Sequence, residues 1–197
     1  MKVSLSLYGN NCAFIFLERT FVMKKNDNLV KLTLSSVFLA LAFVLPFLTG
    51  QIKEIGNMLC PMHIPVILCG FICGAPWGAV VGFIAPLLRS FILGMPMLFP
   101  NALSMAAELC VYGFISGLLY KKLPDKKIFI YVSLLIAMIA GRLVWGTVQF
   151  MLLGFDASAF GISAFVAGAF ANAIPGIILQ IVLIPVLVMV IKKIKNK

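Results

Sequence analysis

The side chains able to do chemistry are few in this chain and fall close together. Cys60, His63, Cys69 and Cys73 lie in CPMHIPVILCGFIC, as C-x-x-H followed by C-x-x-x-C, and His63 is the chain's only histidine. Thiolates and a neutral imidazole converging tetrahedrally would hold zinc. Helix geometry separates them. If residues 64–75 are helical, Cys69 and Cys73 share a face, but Cys60 and His63 lie in or before the first turn, about 9 Å or more along the axis from Cys69. The expectation is therefore no metal and no cofactor. The cysteines read as small packing residues in apolar surroundings, and His63 reads as a helix-start residue near the outer mouth of a pocket, where its protonation would tune ligand choice.

The remaining ionisable groups inside apolar stretches are Arg89, Glu108 and Arg142. Charges at such positions are costly and mark function by default. Asn101, Ser104, Glu108 and Tyr112 are spaced by three, four and four, which places them on one helical face. Arg142, Trp145 and Gln149 are spaced by three and four, and Asn172, Gly176 and Gln180 by four, with Pro175 between. Polar stripes on successive helices would line a cavity in which Tyr112 and Trp145 form flat walls and the charged groups fix polar ends. Glu108 would lie about 10 Å, and Arg142 about 15 Å, below the outer ends of their helices. The substrate-binding candidates are His63, Arg89, Asn101, Glu108, Tyr112, Arg142, Trp145, Gln149 and Asn172. A structural reading stands beside each: Glu108 could neutralise Arg142 or Arg89, Asn172 and Gln180 could join helices, and Trp145 could be interior packing.

What must position these groups is a membrane bundle. Hydrophobic residues make up 62% of the chain and charged residues 11%, whereas a soluble domain is about one quarter charged. Spans are expected at 31–48, 63–75, 77–93, 101–120, 128–152 and 161–191, an all-α integral membrane protein of six transmembrane helices. The net charge of +10 is concentrated at Lys2 to Lys31, at KKLPDKK (Lys121 to Lys127) and after Ile191. Six crossings with both termini cytoplasmic bring all three clusters to the inner side, which accounts for the basicity as a topology signal rather than a nucleic-acid surface. The pocket would then open outward. Residues 1–22 contain a short apolar patch followed immediately by Glu18 and Arg19 and lack an A-x-A cleavage site. They read as a non-structural or mis-assigned extension ahead of a start at Met23, leaving 23–197 as one six-helix substrate-binding domain.

The second span is only about 18 Å of helix, so it must tilt little, begin in the preceding loop, or sit inside the bundle. A tight turn at Gly74-Ala75-Pro76-Trp77-Gly78 makes it an antiparallel pair with the third. Gly70, Gly74, Gly78 and Gly82 recur every four residues across that turn. Some must serve the turn and the others close helix approach. Leu93 to Pro100 reads as a structured apolar loop over the outer mouth, placed to act as a lid.

The sequence has no G-x-x-x-x-G-K-[ST] loop for ATP hydrolysis and no G-x-S-x-G, H-E-x-x-H or carboxylate cluster for catalysis. The expected protein is not an enzyme. His63-Ile64-Pro65, followed by the glycine series and preceded by the first helix LTLSSVFLALAFVLPFL, resembles the substrate-specific S components of energy-coupling factor (ECF) vitamin transporters, over residues 24–197. The resemblance implies capture of a vitamin or related small molecule from outside, in a bacterial cytoplasmic membrane. It also implies association with a transmembrane coupling subunit (T component) and two cytoplasmic ATPases, which would supply the missing phosphate loop. It further implies that Ser36 and Ala40, matching the small residues spaced by four on the family's first helix, dock on the coupling subunit, with Ser36 where the family prefers alanine. His63 stands where an acidic residue is common in the family.

The leading expectation is a high-affinity solute-binding subunit of an ATP-driven importer. The alternative is a self-sufficient ion-coupled carrier with Glu108 as its coupling group. A third class, a membrane enzyme or metal protein built on His63 and the cysteines, follows only from a metal site that helix geometry disfavours. For the ligand, pantothenate, a pyridine or pyrimidine vitamin precursor and a modified nucleobase all remain open.

Overall fold

The computed structural model describes residues 27–48, 61–124, 127–153 and 174–195. The 1–22 extension, Cys60, Asn172 and the beginning of the expected sixth span lie outside the described residues. Among those described, every element is helical: α1 Asp27–Leu48, α2 His63–Cys73, α3 Ala75–Leu93, a π-helical turn Leu98–Ala102, α4 Leu103–Lys122, α5 Lys127–Leu153 and α6 Ile174–Lys195. Five helices are long and apolar enough to cross a membrane. The observed helices coincide with the expected spans to within a few residues wherever the chain is described.

The exception in length is α2, with 11 residues, or about 16 Å of helix. Its burial shows how so short an apolar helix is accommodated. Every residue from His63 to Phe71, and Cys73 as well, is buried, and α2 packs against α1, α3, α4 and α6. One side joins a core of Tyr112, Leu134, Ala137, Met138, Ile184 and Val188 from α4, α5 and α6. The other side joins Ala42, Val81, Ala85 and Leu109 from α1, α3 and α4, and contributes the thiols Cys69 and Cys73 to that cluster. In contrast, Phe91, Leu143, Met151 and Val182 are exposed on the longer helices, as a lipid-facing belt requires.

The glycine series divides its labour. Gly74 ends α2 and precedes α3 with φ 99°, a conformation in which a Cβ would be strained. Its N–H donates to the Gly70 carbonyl at 3.1 Å, and the Gly78 N–H donates back to the Gly74 carbonyl at 3.0 Å. Pro76 then falls in the first turn of α3, where its missing N–H leaves no hydrogen bond unmade. The other members pack. A Cβ at Gly70 or Gly78 would run into the backbone carbonyl of Gly113 on α4, and one at Gly82 into the backbone at Leu109. Gly113 and Gly117 reciprocate against Gly78 and against Gly70 and Ala75. Small residues on both sides let the backbones of α2, α3 and α4 approach, and dispersion from that close contact holds helices together where lipid offers no hydrophobic drive. The helix α4 consequently becomes the hub, touching α2, α3 and α5.

At the far end of α3, Gly94 takes the left-handed conformation (φ 67°) and its N–H caps Ser90 at 2.9 Å. The expected loop is ordered: the Ala102 N–H donates to the Met97 carbonyl at 2.9 Å, and the Leu98–Ala102 turn, with Phe99 extended inside it, touches α3, α4 and α5. This loop therefore ties the ends of α4 and α5, which carry two of the polar stripes, to α3.

Candidate functional site

Glu108 and Tyr112 stand one turn apart on α4, so both point to the same side. That side meets Arg142 of α5 and the first residue of α2, His63. The other three converge on one oxygen of Glu108: its Oε1 accepts from Tyr112 Oη at 3.0 Å, lies 3.2 Å from Arg142 Nη1 and 3.7 Å from His63 Nε2. The histidine ring tilts against Tyr112 with centroids 5.3 Å apart. Exposure is 2% for His63, 1% for Glu108, 1% for Tyr112 and 9% for Arg142. Such a degree of burial makes the cluster electrostatically strong and makes each missing partner expensive.

Two glycines create the room. Gly141, one residue before Arg142, lies where a Cβ would strike the Tyr112 ring, so the phenol can lie flat against α5 and reach back to Glu108. Gly113, directly after Tyr112, lets α4 approach α3 closely. The arrangement is preorganised: a carboxylate that accepts from a phenol and faces a guanidinium, beside an imidazole, is held in a fixed geometry in a dry setting. Both ring nitrogens of His63 are buried with no hydrogen-bond partner, so this ring retains hydrogen-bonding capacity that a solute could use.

A second polar contact lies further along the same stripes. Gln149 Nε2 donates to Asn101 Oδ1 at 3.4 Å, joining the π-helical turn before α4 to α5 two turns from Arg142, or about 10 Å. Ser104, between Asn101 and Glu108, is buried and donates to the Pro100 and Asn101 carbonyls at 3.1 and 3.0 Å. Trp145 is half-buried between Arg142 and Gln149 on α5. Gly176 and Gln180 of α6 are buried, whereas Asn172 lies outside the described residues.

Arg89 does not join this cluster. Its Nε donates to the Met95 carbonyl at 3.2 Å, and its guanidinium sits over the Phe47 ring with 5.8 Å to the centroid. The partner of Glu108 is thus Arg142, with His63 beside it. Ser36 and Ala40 lie elsewhere again, exposed on α1. They line an apolar groove of about 330 Å³ with Leu39, Phe43, Val44, Leu88 and Ile92. Ser36 Oγ donates to the Leu32 carbonyl at 3.0 Å, which masks its polarity and lets it behave as a small apolar residue there. No group of three or more His, Cys, Asp or Glu side chains assembles as a metal site among the described residues.

Sequence reasoning did not single out Gly113, Gly117 or Gly141. The first two carry a readable signal, the G-x-x-x-G spacing on the fourth span. Gly141 carries none, since its role depends on which side chain faces it from α4.

A bundle with five helices long and apolar enough to cross a membrane, burying a four-membered polar cluster at its hub, is the architecture of an integral membrane protein. The chain belongs to the family of ECF transporter substrate-specific components, whose family model matches residues 30–188. It is therefore a substrate-specific transporter subunit. No curated protein and no solved structure matches the chain significantly.

Proposed function

We propose that the chain is the high-affinity solute-binding subunit of an ATP-driven importer, taking up a vitamin or vitamin-like small molecule across a bacterial cytoplasmic membrane. In this reading residues 23–197 cross the bilayer six times with both termini inside, residues 1–22 are dispensable, and the pocket opens outward. The observation that carries it is the convergence of His63, Glu108, Tyr112 and Arg142 from three helices on one buried carboxylate oxygen.

The residues have distinct parts to play. Arg142 neutralises Glu108 so that the carboxylate can stay in a dry site, and Tyr112 fixes the rotamer of that carboxylate. His63 supplies the hydrogen-bonding edge that meets the solute. Asn101 and Gln149 flank the route from the outer end, with Trp145 and Asn172 contributing to the walls and Arg89 holding the loop that covers them. Such preorganised polar groups in an apolar bundle give affinity because they bind without reorganising. The chain carries no phosphate loop, so energy must come from outside it: a transmembrane coupling subunit docks at Ser36 and Ala40 and two cytoplasmic ATPases drive release inward. The apolar groove around those two residues supports that docking face.

The test is binding and uptake measured separately. Purified chain should hold one small molecule stoichiometrically in the absence of ATP, as read by native mass spectrometry, while uptake by cells should require the coupling subunit and ATPases. Uptake at the normal rate in cells lacking the coupling subunit would overturn the proposal and point to a self-sufficient carrier.

A further inference from the structure

Glu108 is engaged by Arg142 and His63, so the charge of Arg142 is cancelled within the cluster. Arg89 is left over. It is 8% exposed on α3, and no carboxylate lies within ion-pair distance of it among the described residues. Its Nε edge is used by the Met95 carbonyl, but Nη1 is buried without a hydrogen-bond partner. A guanidinium stays charged in any protein setting, and a buried charge lacking a counter-charge is costly. The C-terminal end of α3, four residues away, and the Phe47 ring compensate only in part.

The position of this cation relates it to the cluster. Gly82 packs against Leu109, the neighbour of Glu108. Arg89 follows Gly82 by seven residues, two turns on the same face of α3 and about 10 Å along the axis. It is therefore displaced toward the loop that connects α3 with α4, and is attached to that loop through Met95.

We infer that Arg89 is the subsite for an anionic group of the transported solute, a carboxylate or phosphate, so that the substrate is an organic acid rather than a neutral or cationic vitamin. This rests on the solute-binding reading and narrows it. The bound anion would take the unpartnered Nη1 of the guanidinium in a charge-assisted hydrogen bond, while the solute's uncharged polar atoms meet His63. Because Arg89 also holds Met95, arrival of the anion reports directly to the apolar loop at Met95 to Phe99.

The experiment uses purified full-length chain and matched pairs of probes that differ only in the charged group: pantothenate with panthenol, nicotinate with nicotinamide, and biotin with biotin amide. Native mass spectrometry identifies any co-purifying solute, and equilibrium dialysis gives the affinity ratio of acid to neutral analogue. The inference expects an acid to be bound, and expects Arg89→Gln to reduce that ratio by about 10- to 100-fold, the loss typical of one charge-assisted hydrogen bond. Arg89→Lys should retain most of it. A purely structural Arg89 would lower affinity for acid and neutral analogue alike, leaving the ratio unchanged, and that result overturns the inference. So does a tightly bound solute with no anionic group, which leaves the solute-binding reading standing, or an anionic phospholipid that alone occupies Arg89. Absence of any co-purified solute and of binding by every probe overturns both.

Discussion

The pairing of Glu108 with Arg142 gives the sharpest energetic test of the hub. At 3.2 Å, two unit charges attract by about 5 kcal/mol at an effective dielectric constant of about 20. Removing one partner of a buried pair typically costs about 3–5 kcal/mol, because the other charge stays behind. Glu108→Gln keeps an acceptor for Tyr112 but leaves Arg142 without its carboxylate, so the full loss is expected. Arg142→Gln leaves Glu108 with Tyr112 and His63 still in reach, so its loss should be smaller. The double variant removes both charges and should cost less than the two single losses added, with a coupling energy of at least about 2 kcal/mol. The assay is unfolding of the purified chain in mixed micelles by SDS titration, run on the four members of the cycle. Single losses that add to within about 0.5 kcal/mol would show that the two side chains are energetically independent, and the cluster would then not hold together as one electrostatic unit.

Four further outcomes follow from the packing and from the proposed roles. Gly113→Ala should sharply reduce the yield of folded, monodisperse protein, since its Cβ would meet the Gly78 backbone; Gly94→Ala, with φ 67° but open space around it, should cost only about 1–2 kcal/mol. Gly141→Ala should displace the Tyr112 ring and weaken its bond to Glu108, lowering solute affinity by about tenfold; unchanged affinity in titration calorimetry would dissociate that bond from recognition. Ala40→Trp should fill the groove on α1 and abolish co-purification with the coupling subunit while leaving solute binding by the isolated chain intact, and retention of the complex would remove the groove as the docking face.

Much of the site was legible because helical spacing alone fixes which residues share a face. Ser104, Glu108 and Tyr112 had to lie along one side of α4, with Asn101 in the turn that leads into it, and Arg142, Trp145 and Gln149 along one side of α5. The apolar runs fixed the helices in the same way, since a continuous hydrophobic stretch has few options other than a helix in lipid. The spacing of Gly70, Gly74, Gly78 and Gly82 across a turn likewise required that some serve the turn and the others permit close approach, and the structure gives the turn to Gly74. These properties are local, set by the 3.6-residue period and by backbone sterics.

The rotation of each helix about its axis and its choice of neighbours belong to the tertiary structure. Sequence left Glu108 free to pair with Arg89 or Arg142; packing of Gly82 on Leu109 and of Gly141 on Tyr112 turns α4 so that Glu108 faces α5 and α2. Arg89, on the α3 side, is thereby held apart and attached to Met95. Burial of α2 between two cores is equally a collective result, because an apolar helix of 11 residues is tolerated only where four neighbours surround it. Local periodicity determines what a helix can present, and the close glycine contacts between helices decide what each presented group meets.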